Sequence, residues 1–102
     1  MSSFAEVELN IIRWSEQRCI IPNSTPKAQF IKLKEEVYEL QLALADDNME
    51  EIIDGIGDSM VCLINICALL DVNLVDCMSH AYEQIKDRKG YMNADGIFVK
   101  EK

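Results

Sequence analysis

Two short stretches of the chain place carboxylates where they can act together. One is Lys34-Glu35-Glu36-Val37-Tyr38-Glu39-Leu40, the other Glu51-Ile52-Ile53-Asp54-Gly55-Ile56-Gly57-Asp58. A helix turns about 100° per residue, so Glu36 and Glu39 share one face of the first segment, and Asp54 and Asp58 share one face of the second. Like charges at this spacing cost a few tenths of a kcal/mol, roughly, per pair on an isolated helix. Four of them converging on one space call for a cation. An all-oxygen ligand set favours a hard ion, magnesium or manganese, over zinc.

The elements that must position these acids are helices. Residues 3–19 read as an amphipathic helix with Phe4, Val7, Ile11 and Trp14 on one stripe. The prolines and polar residues of 20–26 read as a loop. Thr25 followed by Pro26 is an N-cap and first-turn pair, so a second helix is predicted from there to about Ala45. Asp46-Asp47-Asn48 connects it to a third, from Met49 to Leu70, whose latter half is apolar nearly all round and should be buried on every side. Asn73 caps a fourth helix running to about Lys89, with Val75, Met78, Tyr82 and Ile85 on its inner stripe, and Gly90 stops it. The tail carries Asp95-Gly96 between short β-prone runs and reads as a hairpin or extended arm. The expected whole is one all-α domain over 1–102, helical over 3–89, a four-helix bundle with an extended tail over 90–102. Its apolar surface exceeds what a lone small bundle covers, which predicts a homodimer or homotetramer.

In the second helix the predicted core stripe is Phe30, Leu33, Val37, Leu40 and Leu44. Gln29, Lys32, Glu36 and Glu39 form a row at its edge and should look into a groove. In the third the apolar stripe is Ile53, Ile56, Met60, Leu63, Cys67 and Leu70, with Glu51, Asp54, Asp58, Cys62 and Asn65 opposite. Asn65 is the one polar side chain between Met60 and Leu70 and falls on the acid row, which marks a polar pocket. Gly55 and Gly57 each cost roughly 1 kcal/mol within a helix, so either a ligand or another helix approaches there. His80 reads as a surface residue. Lys86, Arg88 and Lys89 form a basic cluster at the end of the fourth helix, suited either to the helix dipole or to clamping phosphate. Trp14, the single tryptophan, belongs in the core or against a nucleobase.

The balance of 18 acidic to 10 basic residues, a net charge of −8, argues against a nucleic-acid polymer as partner. It leaves room for one nucleotide held through a metal. No run reaches the roughly 18 apolar residues of a membrane span, and Glu6 and Glu8 are unlike a signal peptide, so no membrane partner is expected and a cytoplasmic location is the default. Cys19, Cys62, Cys67 and Cys77 form no Cys-x-x-Cys pair and read as reduced, buried small hydrophobes.

Glu35-Glu36-x-x-Glu39, followed by an acidic pair ending in Gly57-Asp58 before a long apolar helix, resembles the MazG-type all-α nucleoside triphosphate pyrophosphohydrolases. The likeness runs from about Trp14 to Arg88, and the Lys86-to-Gly90 ending with its Gly-Ile-Phe-Val tail is similar to small phage- or mobile-element-type members. It implies magnesium ligands at Glu36, Glu39 and Asp58. Three residues before Asp58, where the family has Glu, stands Gly55; Asp54 is the substitute, with Glu51 in reserve. It also implies cleavage of a nucleoside triphosphate, here a deoxynucleotide, to monophosphate and pyrophosphate. Glu36 or Glu39 would orient or deprotonate the attacking water, Lys32, Lys86, Arg88 and Lys89 would hold phosphate, and Trp14, Gln29 and Asn65 the base or sugar. The competing expectation is a non-catalytic acidic module for oligomerisation or partner binding.

Overall fold

The computed structural model describes residues 3–101 and is mostly helical: α1 (Phe4–Gln17), α2 (Ile20–Asn23), α3 (Pro26–Ala45), α4 (Met49–Leu69), α5 (Leu74–Ile85), then β1 (Gly90–Met92) and β2 (Phe98–Lys100). Each long helix starts on a side-chain oxygen that accepts a first-turn backbone N–H: Ser3 from Glu6, Thr25 from Ala28, Asn48 from Glu51 and Asn73 from Asp76. Such caps contribute about 1 kcal/mol each. The connectors turn through left-handed residues Cys19, Asp47 and Asp71.

Two stretches differ from expectation. The 20–26 stretch opens with the short helix α2 before reaching Thr25. The last helix ends at Ile85, short of Lys89, and Gly90 does not stop it; Gly90 pairs with Lys100 in an antiparallel ladder. Phe98 explains that glycine. A Cβ at position 90 would lie 2.6 Å from Phe98 Cζ and collide with the Val99 carbonyl, so the aromatic ring occupies the space a side chain would take. The turn itself is closed by Asn93, whose side-chain oxygen accepts from the backbone of Asp95 and Ile97, with Gly96 at φ +80.

The main packed pair is α3 with α4, antiparallel, so that Leu40 meets Gly55 and Gln29 meets Asn65. A Cβ on Gly55 would sit 3.0 Å from Leu40 Cβ, whereas one on Gly57 would meet nothing. Gly55 thus serves helix–helix approach. The predicted stripes hold in part. The sheltered face of α3 runs through Gln29, Leu33, Glu36, Leu40 and Ala43, and that of α4 through Gly55, Cys62 and Asn65, with Met60, Leu63 and Cys67 also sheltered as expected. Phe30, Val37 and Leu44 of α3 and Ile53, Ile56 and Leu70 of α4 are exposed, against expectation. The same outward placement holds in α1, where Ile11 is sheltered and Glu8 and Ser15 are buried but Phe4, Val7 and Trp14 are half-exposed. It holds in α5 too, where Leu74 is buried and Val75, Met78, Tyr82 and Ile85 are not. Apolar residues at the 3.6-residue helical period mark which side of a helix is greasy, not which neighbour covers it.

What is buried is small. Ile64, Cys67 and Leu74 form the core cluster, with Ile11, Ile12 and Met60 against it, joining α1, α4 and α5. The accessible surface is 7986 Å², where a compact chain of this mass exposes about 5,800 Å². The radius of gyration is 16.0 Å against about 13 Å for a compact domain of this length. The apolar faces of α3, α4 and α5 are therefore uncovered within one chain. By length and composition alone α4 is apolar enough to cross a membrane, although Asp54, Asp58 and Asn65 break it so that no run of about 18 apolar residues occurs. Cys62 and Cys67 are buried free thiols as expected, but Cys19 and Cys77 are exposed.

Candidate active site

Gly55 lets α3 and α4 close tightly at mid-length, and the acids on either side of that contact open onto adjoining cavities. One, of about 330 Å³, is lined by Glu39, Leu42, Glu51, Asp54, Gly55 and Asp58. A second, of about 440 Å³, lies towards α1 and α2; its polar walls are Gln29, Lys32, Glu36, Asp58 and Asn65, and its apolar ones Trp14, Ile20, Val61 and Cys62. A third, of about 380 Å³, runs along α1 beside Val7, Asn10, Ile11 and Trp14 and again touches Asp58 and Val61. Asp58 borders all three. Glu51 and Asp54 stand together in the first.

Of the acids lining these cavities Glu36 is the one that is buried, at 8% exposure. One of its oxygens lies 3.3 Å from Lys32 Nζ, and the other, Oε2, is buried with no hydrogen-bond partner. An unpaired buried carboxylate oxygen is costly. Lys32 also reaches Glu35 Oε2 at 3.3 Å, so Glu35 and Glu36 share one cation. The Glu35 hydrogen bond, followed by that from Glu36, raises the Lys32 pKa and keeps the amine charged. The amine is half-exposed, so solvent screens the pair. Beside it, burial and then the Glu36 charge push the Cys62 thiol up, keeping it protonated. Among the described residues, no three His, Cys, Asp or Glu side chains are arranged to enclose a metal ion as they stand.

Behind the second cavity runs a chain of hydrogen bonds. Ser15 Oγ donates to Asn65 Oδ1 at 2.6 Å, Asn65 Nδ2 to Gln29 Oε1 at 3.1 Å, and Gln29 Nε2 to Ser24 Oγ at 3.1 Å. It ties α1, α4 and α3 to the residue after α2. Asn65 is thus satisfied by side chains of two other helices. Sequence reasoning missed Ser15, which is fully buried, and Glu8, whose Oε2 accepts the Leu74 N–H at the start of α5 over 3.2 Å. The signal was their position: both lie on the Ile11 side of α1, four residues apart from it in one direction and three in the other.

Of the predicted site residues, the structure brings Glu36, Glu39, Asp54, Asp58, Trp14, Gln29, Lys32 and Asn65 to these adjoining walls. Lys86, Arg88 and Lys89 lie beyond α5 and line none of the three cavities; Lys86 pairs with Glu83 at 2.7 Å. Trp14 is not a core residue, since its half-exposed ring separates the second cavity from the third and carries Arg18 5.5 Å from its centre. His80 is exposed, as expected.

No protein-family model matches the chain, and no solved structure matches it. It is similar to an uncharacterized 18.2 kDa protein from the rep-hol intergenic region of Haemophilus phage HP1 (strain HP1c1), 39% identical over 64 residues. That match takes in 63% of this chain and spans 39% of the phage protein's length.

Proposed function

We propose that the chain is a magnesium-dependent nucleoside triphosphate pyrophosphohydrolase of MazG-like type. It would act on deoxynucleoside triphosphates, release pyrophosphate and leave the monophosphate, a nucleotide-pool house-cleaning reaction. The observation that carries this reading is the buried, unpartnered Oε2 of Glu36 on a wall shared with Asp58, which in turn meets Glu39, Glu51 and Asp54 next door. The donor set is all carboxylate, which fits a hard divalent ion.

Glu36, Glu39, Asp54 and Asp58 would hold magnesium, or manganese, with Glu51 at hand on the same wall. Bound there, the ion supplies neutralisation of phosphate charge and a water acidified for in-line attack. Glu39, the more exposed of Glu36 and Glu39, would orient an attacking water or take its proton, while Glu36, sheltered and paired with Lys32, would serve as a ligand. Lys32 presents a charged amine to phosphate oxygens. Trp14 offers a ring face to a base, and Gln29 and Asn65 each retain one amide hydrogen and one lone pair beyond the bonds they make with each other, Ser15 and Ser24. The helices form a four-helix bundle completed by a second copy, which covers the outward apolar faces of α3 and α4.

Pyrophosphate release should be measured with magnesium across common and non-canonical triphosphates. Turnover of at least one, lowered at least ~100-fold in Glu36→Gln and Asp58→Asn, supports the reading. Turnover of none, or undiminished turnover in both variants, defeats it. A non-catalytic acidic module would show no saturable magnesium binding by calorimetry.

A further inference from the structure

The strand pair at the C-terminus stands apart from the rest of the chain. Neither strand brings a Cα within 8 Å of any helix, and Tyr91, Met92, Ile97 and Phe98 are all exposed. Two three-residue strands are at best marginally stable alone in water. This hairpin therefore needs a surface to lie on, and its own helices do not supply one.

Charge says which surface. Residues 86–101 carry four cations and three carboxylates, while residues 26–69 carry three cations and nine carboxylates. Among the described residues Arg88, Lys89 and Lys100 make no ion pair, and no cation pairs with Glu39, Glu51, Asp54 or Asp58. Beside those acids α3 and α4 leave Val37, Leu44, Ile53 and Ile56 uncovered. The chain also exposes roughly 2,000 Å² more than a compact one of its mass, well above the roughly 800 Å² each partner gives to a stable interface.

We infer that residues 88–100, the hairpin with the two cations that lead into it, are an exchanged arm: it docks on the α3–α4 face of a second copy of this chain, its apolar side chains on Val37 and Ile53 and Arg88 and Lys89 at that copy's acidic cleft. The docking stands on surface and charge alone. That the arm thereby lends phosphate-binding cations to the neighbour's site rests on the hydrolase reading.

The test uses the full chain, a one-to-one mixture of ¹⁴N- and ¹⁵N-labelled protein treated with a zero-length carbodiimide that joins lysine amines to carboxylates. Mixed-isotope peptides linking Lys89 or Lys100 to Glu39, Glu51, Asp54 or Asp58 are expected, together with a dimer or larger species in sedimentation equilibrium. Tyr91→Asp/Phe98→Asp should shift the species towards monomer while helical circular dichroism is kept. A wild-type monomer at micromolar concentration, or the absence of mixed-isotope links from the arm, overturns the inference. Neither readout depends on catalysis, so failure of the hydrolase reading would be seen separately, in the pyrophosphate assay.

Discussion

Ser15 and Asn65, fifty residues apart, are joined by a 2.6 Å hydrogen bond inside the protein, with Ser15 at 0% and Asn65 at 2% exposure. The hydroxyl is the only described donor to Asn65 Oδ1. Ser15→Ala leaves that oxygen unsatisfied and should cost about 1–3 kcal/mol in urea unfolding. Ser15→Ala in an Asn65→Leu background should cost less, because the orphan is gone. Equal losses in both backgrounds would show that the two residues are not energetically coupled.

The two helical glycines should respond oppositely to alanine. At Gly55 the new methyl meets Leu40 at 3.0 Å, and forcing α3 from α4 should cost about 1–3 kcal/mol, outweighing the gain in helix propensity. At Gly57 there is open space, so Gly57→Ala should stabilise by roughly 0.5–1 kcal/mol. Thermal melts of the two variants side by side check this; a stabilised Gly55→Ala would mean the helix contact is loose.

Magnesium should raise the melting temperature of the wild-type chain, since an ion that binds only the folded form stabilises it, by about 2.7 kcal/mol at a hundredfold excess over Kd. Glu36→Gln and Asp58→Asn should each abolish most of that rise. Without magnesium Glu36→Gln should be no less stable than wild type, because it replaces a buried charge whose Oε2 has no partner by a neutral amide.

Stability should fall at alkaline pH. Burial, then the Glu36 charge, raises the Cys62 thiol; burial, then Cys77, raises that of Cys67. A group that holds its proton more tightly when folded contributes fully below its unfolded value and loses that contribution as pH climbs through the folded one. The decline therefore begins above the ordinary thiol value of 9.0. Lys32, raised by Glu35 and Glu36, adds a loss of the same sign further up, small because the amine is exposed. Urea midpoints at about pH 7.5 and about pH 10 should differ, and Cys62→Ala should narrow the gap; a midpoint independent of pH contradicts it.

Chain punctuation was legible in the sequence. Thr25-Pro26, Asn73 and Asp95-Gly96 stand where expected because caps and turns are local devices whose side chains bond within four residues. Helix faces were legible only in part. Leu33 and Leu40 read as core and lie in the α3–α4 seam, but Phe30, Val37 and Leu44 read as core and are exposed, while Gln29, Glu36 and Ala43 take their place around Gly55. Periodicity reports the apolar side, and within this chain part of that side stays uncovered. That Glu36 and Glu39 lie one helical turn apart was legible, but that Glu36 is buried beside one cavity and Glu39 exposed at another was not; nor were Ser15 and Glu8, since a single polar residue in an amphipathic helix carries no mark of its distant partner. Nor was the end of α5: Lys86 to Lys89 has good helix formers, and Gly90 reads as a stop until Phe98 is seen lying across it.

Asp58 stands at the corner of three voids, so their electrostatic potentials cannot be set one at a time. Were the proposed cation to settle beside Asp54, it would also offset the charge that Asp58 presents on the Trp14 side. Under the hydrolase proposal, cation before anion would then be the favoured order of entry, set by one shared carboxylate with no moving part.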